Sequence, residues 1–346
     1  VLPATHTRVV DGVTVGFIGL TSDIVKFVYP LLAPAFDFLG EDDDAATARA
    51  AYVELITRHA EALRDAGADV VVVMSELGIH KDLRLANSIA PDLVDVFFSA
   101  HTHEATEQPL QSASGALVVE AGNDGYLGRM DLHLQDGKLV DRQWQLLEVV
   151  PTLPEDPEVA ALVERARAPF MAIDVDIEDP MPNSFQAFVQ PLDTVIGSVD
   201  FDIDRRGALE NSFNNAMTDL LRQYGNTDLA MAPGFCFDSV VANNTMLEDN
   251  TVLDGEVTLE DAYRFFPVMF SVASAEVQGS RLREIIETSL TRTFSADAFN
   301  QRGGWMEGWS GLSLTVNLAN PDGQRVVEMR LKDSGEVIQD DDLVSV

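Results

Sequence analysis

Apolar and polar positions follow distinct rhythms along this chain. Near the start, Val9-Val10 and the run Val13 to Ile18 flank Asp11-Gly12, a tight-turn dipeptide, and predict a β-hairpin over Thr7 to Thr21. From Asp44 to Asp65 the residues Ala45, Ala48, Tyr52, Leu55, Ile56, Ala60 and Leu63 recur mostly at three- and four-residue spacings, one face of a helix closed by Gly67. Ala68 to Met74 is then a nearly continuous β-branched run, the pattern of a strand covered on both faces. The unit repeats, with a short helix over Asp82–Ile89, a break at Pro91 and an apolar strand over Leu93–Phe98. Leu117–Val119, Arg129–Leu134 and Leu139–Leu147 read as further strands, the last two around Asp136-Gly137. The first 150 residues therefore predict a layered α/β domain with loops gathered at strand ends.

Prolines 151, 154 and 157 mark a boundary, followed by a helix over Glu158–Pro169. Residues 174–191 are acidic, proline-punctuated and aperiodic, and read as a surface insertion, so 151–195 form a linker. A second α/β domain is expected over 196–346: helix Ser212–Tyr224, strand Asp228–Ala232, helix Leu259–Phe265, strand Ser271–Val277, helix Ser280–Ser295, and strands Leu312–Asn317 and Val326–Leu331. The two halves show no internal repeat.

Composition narrows the function. Against 23 Lys and Arg stand 57 Asp and Glu, a net charge of −34 in 346 residues, while 46% hydrophobic content and a mean hydropathy of +0.03 leave enough apolar material for real cores. No apolar run is long enough to span a bilayer, and no positively charged segment leads into an apolar one as in a secretory signal. So acidic a surface repels nucleic-acid phosphates and anionic membranes, and neither nucleic acid nor membrane insertion is expected. Only four cations are lysines, a bias that suits high salt, an extracytoplasmic setting or simple solubility. The single cysteine, Cys236, excludes an intrachain disulfide and an all-cysteine metal site. The first residue is Val1, which predicts a processed product or a portion of a longer chain.

Two apolar strands run into polar loops that carry ligand-type residues. Val70–Met74 leads to Ser75-Glu76-Leu77-Gly78-Ile79-His80, and Leu93–Phe98 to Ser99-Ala100-His101-Thr102-His103-Glu104. Strand ends in α/β domains converge on one crevice, and imidazoles spaced i, i+2 in a loop can face one metal or two neighbouring metals. The alternative is a pair of loop histidines bonded to carbonyls and water. His80 and Asp82 are close enough to Glu76 in sequence to add a ligand, although a histidine at a helix start is more often exposed. Phe235, Phe237, Phe265 and Phe266 suit either a substrate slot or a core, and Trp305 and Trp309 beside Gly303-Gly304 and Gly308 suggest an aromatic platform. His6, His59 and His133 read as structural or surface residues. No phosphate-cradling loop, Gly-x-Ser-x-Gly or zinc-finger spacing is present.

These loops, in their order, resemble the 5′-nucleotidase superfamily of dinuclear metallophosphoesterases. Val9 to Thr21 is similar to the strand pair after the family's Asn-His motif, Ser75-Glu76-Leu77-Gly78 to its Ser-His-x-Gly, and Ser99-Ala100-His101-Thr102-His103 to its Gly-Gly-His-Thr-His. Val119-Glu120-Ala121-Gly122 through Tyr126-Leu127-Gly128-Arg129 resembles its Gln-Ala-Gly…Leu-Gly-Arg, and Glu210-Asn211-Ser212 opens a helix reaching Asp219, as in its C-terminal domain. Ala232-Pro233-Gly234-Phe235-Cys236-Phe237 and Gln301-Arg302-Gly303-Gly304-Trp305-Met306 followed by Ser310-Gly311-Leu312 look more like the Sox-pathway (SoxB-type) thiosulfohydrolase branch than like nucleotidases.

The resemblance implies an α/β fold: an α-β-β-α metallophosphoesterase domain, here its C-terminal part, and then a 5′-nucleotidase C-terminal-type specificity domain. It implies two divalent ions, Mn or Zn, activating a water for attack on phosphorus or sulfur, with His101 and His103 as metal ligands and Glu76 as a substitute ligand. Phe235, Cys236, Phe237, Gly303, Gly304 and Trp305 would face the substrate. That substrate would be a small anion or a sulfur-carrier protein with a modified cysteine, in a periplasmic or extracellular setting. The chain departs from the pattern at Glu76, where the family has histidine, and at Cys236, where it has arginine. The family's earlier ligand motifs and its catalytic histidine would lie upstream of Val9, and both ends read as truncated. A binding protein that kept the fold and lost the site, or a nucleotidase proper, are the competing expectations.

Overall fold

The computed structural model describes residues 3–22, 44–122, 125–149, 153–171, 190–199, 201, 203, 205, 207–233, 255–265, 271–301 and 305–346. The insertion expected at 174–191 falls almost wholly outside them. In the first half the chain runs β1 (Thr5–Val10), β2 (Val13–Leu20), α1 (Ala45–Asp65), β3 (Val70–Ser75), α2 (Ile79–Ala86), β4 (Val96–Ser99), β5 (Leu110–Gln111), β6 (Leu117–Glu120), β7 (Tyr126–Gln135) and β8 (Lys138–Glu148). It continues with α3 (Pro157–Arg167), β9 (Val195–Ser198), α4 (Ser212–Gly225), β10 (Ala230–Ala232), β11 (Glu256–Thr258) and α5 (Leu259–Phe265). Last come β12 (Glu276–Gln278), α6 (Gly279–Phe294), β13 (Gly308–Ser310), β14 (Leu312–Val316), β15 (Val326–Leu331) and β16 (Leu343–Ser345), with 3₁₀ turns at Ala168–Phe170 and Ala298–Asn300.

The chain forms two compact units: 1–148 with 276–307 and 311–344, and 149–275 with 308–310 and 345–346. The first is organised by a sheet of order β1-β2-β3-β4-β6-β5, in which β2, β3, β4 and β6 are parallel while β1 and β5 are antiparallel edges. The valine run sits centrally, as its lack of alternation predicts: Val70 to Val73 are all buried. Ile18, Val71, Val73, Phe97 and Val118 pack with the α1 stripe Tyr52, Ile56, Ala60 and Leu63, and with Leu85 and Ala86 of α2. Asp44 caps α1 by accepting from Ala46 N and Thr47 N at 2.9 and 3.0 Å. Gly16 lets α1 approach β2, since a Cβ there would lie 3.0 Å from Leu63 Cδ1.

One end of the parallel strands is tied by charge. Arg64 donates to the Leu93, Ala68, Asp69 and Asp92 carbonyls and, at 2.8 Å, to Asp95 Oδ2, which also accepts from Val71 N at 2.8 Å. At the sheet's other face the β7–β8 hairpin is anchored by Trp144, whose Nε1 donates to Thr106 O at 2.7 Å and whose ring lies 6.3 Å from that of Phe98. A Cβ on Gly128 would reach within 2.2 Å of Trp144 Cη2, so glycine is required opposite that ring.

In the second unit Asn211 caps α4 through Asn214 N at 2.8 Å, and Asn226 ends it in the left-handed conformation, φ 49°. Arg205 stacks over Phe213 at 4.3 Å. β10 pairs antiparallel with β13, and β9 with β11. Thr258 and Asp261 bond reciprocally to open α5. The strand expected at Ser271–Val277 is shorter, Glu276–Gln278, with 271–275 irregular. The helix expected at 82 begins earlier, at Ile79, because Gly78, φ 98°, turns the chain sharply into it.

Candidate active site

The loops after β3 and β4 start from register partners: Ser75 and Ser99 lie opposite each other on adjacent parallel strands. Glu76 is therefore one residue, and His101 two residues, beyond neighbouring strand ends. The structure brings these together, with His101 Nδ1 3.4 Å from Glu76 Oε1. His101 and His103 both occupy the left-handed region, φ 87° and 55°, a conformation that non-glycine residues hold only where the surroundings enforce it.

Glu120 ties this loop down at Thr102 and His103. It ends β6 only 2% exposed and accepts from Thr102 Oγ1 at 2.6 Å and from His103 N at 2.6 Å. Thr102 Oγ1 also accepts from Ile79 N at 3.1 Å, linking the histidine loop to the start of α2. Burial pushes the Glu120 carboxyl up to about 6, against the opposing pull of the Thr102 and His103 donors. Deeper still, Asp82 is fully buried and accepts from Ser75 Oγ at 2.8 Å through one oxygen and from Ser99 Oγ through the other. Burial raises its carboxyl to about 7, opposed by the Ser99 and Ser75 hydrogen bonds.

Asp82, close enough to Glu76 in sequence to add a ligand, has both its oxygens engaged by serine hydroxyls inside the domain. His80 is half-buried rather than exposed, because Gly78 has no Cβ; one there would lie 2.7 Å from His80 Cε1. His6 and His133 are exposed, as expected. Trp305 is half-buried, and its carbonyl accepts from Thr293 Oγ1 at 3.0 Å. Phe235, Cys236, Phe237, Phe266, Gly303 and Gly304 lie outside the described residues. The supporting roles of Ser75, Ser99, Thr102 and Glu120 were not read from the sequence. One signal was present: a carboxylate closing the apolar run Leu117-Val118-Val119.

Carboxylate and imidazole donors suit Zn or Mn, and Glu76 and His101 converge as such a pair. Among the described residues no group of three or more His, Cys, Asp or Glu is arranged to hold a metal ion. The pair therefore fits part of a metal site and does not complete one.

Residues 192–345 match the family model described as "5'-nucleotidase, C-terminal domain". The match covers less than half of the chain and marks this stretch as a 5′-nucleotidase C-terminal-type domain. Its fold is similar to that of the sulfate thiohydrolase SoxB of Thermus thermophilus, with a TM-score of 0.79 at 18% identity, over 100% of this chain and 56% of that one. It is also similar to a 5′-nucleotidase precursor of Thermus thermophilus, with a TM-score of 0.71 at 21% identity, over 99% of this chain and 64% of that one. At these identities the likeness establishes the fold: a metallophosphoesterase-type α/β domain and a 5′-nucleotidase C-terminal domain. Endonuclease YhcR of Bacillus subtilis is 22% identical over 311 residues, 86% of this chain and 22% of that protein. The chain thus spans less than two thirds of each of these relatives.

Proposed function

We propose that the protein is a SoxB-like hydrolase of the 5′-nucleotidase superfamily that cleaves a sulfate, sulfonate or phosphate ester at a dinuclear Mn or Zn site. Glu76, His101 and His103 contribute to that site. Residues 192–345 select a small anionic substrate or the modified cysteine of a sulfur-carrier protein, in a periplasmic or extracellular setting. The observation that carries this reading is the Glu76–His101 pair at neighbouring strand ends, 3.4 Å apart, in a loop held in left-handed backbone. Bound divalent ions supply Lewis acidity and an activated water. This chain's own part is to hold an imidazole and a carboxylate in fixed register, with Glu120 and Asp82 beneath them.

The test is metal content by plasma mass spectrometry on the purified protein and on a His101→Ala/His103→Ala double variant. Hydrolysis of adenosine monophosphate, p-nitrophenyl phosphate and an S-sulfonated cysteine peptide is followed in parallel. About two ions per chain, lost in the double variant, together with turnover of the S-sulfonated peptide, is the expected result. Cleavage of the nucleotide alone would make the protein a nucleotidase. A second reading, a binding protein without catalysis, is favoured by the short donor set among the described residues. No metal above the double variant and no turnover would establish it.

A further inference from the structure

We infer that Asp82 is a positioning residue that sets the separation of Glu76 and His101, by clamping the ends of the two strands that deliver them. The inference rests on the reading of Glu76 and His101 as part of a functional site. Ser75 and Ser99 are the last residues of β3 and β4 and are paired in register. Both hydroxyls donate into the single carboxylate of Asp82, one to each oxygen. Backbone hydrogen bonds hold β3 and β4 together only as far as these residues. Beyond them each chain turns into its own loop, and Asp82 bridges the two at the strand ends.

The same clamp shapes the loops themselves. Ser75 Oγ accepts from Leu77 N at 3.2 Å, which curls the chain just past Glu76. Asp82 N donates to Gly78 O at 3.0 Å, so the residue that bridges the strands also closes the first turn of α2 over that curl. On the far side Thr102 joins the two loops through Ile79 N and Glu120. Glu76 and His101 therefore stand between two buried carboxylate anchors, Asp82 on the strand ends and Glu120 on the histidine loop.

A buried carboxylate is a costly means of satisfying two serine hydroxyls, because an apolar core would need neither group. Two hydroxyls converging on one rigid acceptor fix a distance, and that is the property a two-strand ligand pair requires. Both carboxylate oxygens of Asp82 are taken by the serines, and it acts through them.

The experiment compares wild type, Asp82→Ala, Asp82→Asn and Ser99→Ala by hydrogen–deuterium exchange mass spectrometry, with metal content measured on the same samples. The expected result for Asp82→Ala is a tenfold or greater loss of protection in peptides covering 75–79 and 99–104, with β14, β15 and α6 protected as in wild type. Asp82→Asn, which keeps the shape and one acceptor, restores protection to within about threefold. Should Asp82→Ala fail to fold, Ser99→Ala carries the same readout, with loosening confined to the 99–104 loop. Unchanged protection of both loops, or equal loss across the whole chain, would overturn the inference. Loosened loops in Asp82→Ala, with no metal in the wild type, would uphold the clamp and remove the metal reading. A metal-loaded wild type with both loops unaffected in Asp82→Ala would do the reverse.

Discussion

Replacing Glu120 tests how the histidine loop is held. Its carboxylate accepts from Thr102 Oγ1 and His103 N, each at 2.6 Å, and from the Glu104 backbone, and Thr102 is itself only 3% exposed. Glu120→Ala leaves the Thr102 and His103 donors without that acceptor, at about 1–3 kcal/mol each, so a loss of about 2–5 kcal/mol in unfolding free energy is expected. Glu120→Gln keeps the shape and one acceptor oxygen for His103 N, while its amide can donate to Thr102 Oγ1. Its expected cost is about 1 kcal/mol. The pH dependence separates charge from shape. Burial raises the Glu120 carboxyl to about 6 from an ordinary 4.5, so the folded state holds the proton more tightly than the unfolded chain. The stabilisation from that proton is complete below 4.5 and is lost as pH rises through about 6, an upper limit of about 2 kcal/mol for this group. Glu120→Gln lacks this increment. Urea unfolding at pH 4.5 and 8, followed by far-ultraviolet circular dichroism, measures all three proteins. Glu120→Ala within 0.5 kcal/mol of wild type, or parallel pH slopes for wild type and Glu120→Gln, would refute the reasoning.

Other positions give sharper numbers. Gly128→Ala places a methyl 2.2 Å from Trp144 Cη2 and should cost about 1–3 kcal/mol, read as a lower urea midpoint; an unchanged midpoint would show that the hairpin does not depend on this contact. Ile56→Ala removes a fully buried side chain between α1 and the sheet and should cost about 2–5 kcal/mol by the same measurement, whereas a cost below 1 would mean that α1 is not docked there. Asp82→Asn should flatten the stability profile between about 4 and 7. Its buried carboxyl, raised to about 7, stabilises the fold below 3.8 and loses that stabilisation as pH rises through 7; a profile as steep as wild type's would contradict the assignment.

Much of the fold was legible in the residues themselves, because its strongest elements state their own environment. A continuous valine run is stable only between two covering layers, and Val70–Val73 lies in the middle of the sheet. Asp11-Gly12 and Asp136-Gly137 supply the left-handed backbone that hairpins need, and both occupy it. The α1 stripe faced the core as its spacing required. The short strands β5, β9, β11, β13 and β16, of two to four residues, escaped because pairing partners distant in sequence define them rather than a pattern of their own.

The candidate site divided in the same way. Which residue types stand after each strand was set by the sequence, and Glu76, His101 and His103 were the candidates it offered. Their approach depended on the register that opposes Ser75 to Ser99, a property of strand pairing. Asp82 and Glu120 show the difference most plainly. In sequence each is one more acid among 57, and Asp82 read as a spare ligand. Only the tertiary structure buried both carboxylates among hydroxyl and amide donors, and that burial raised their proton affinity and turned them into anchors for the loops above.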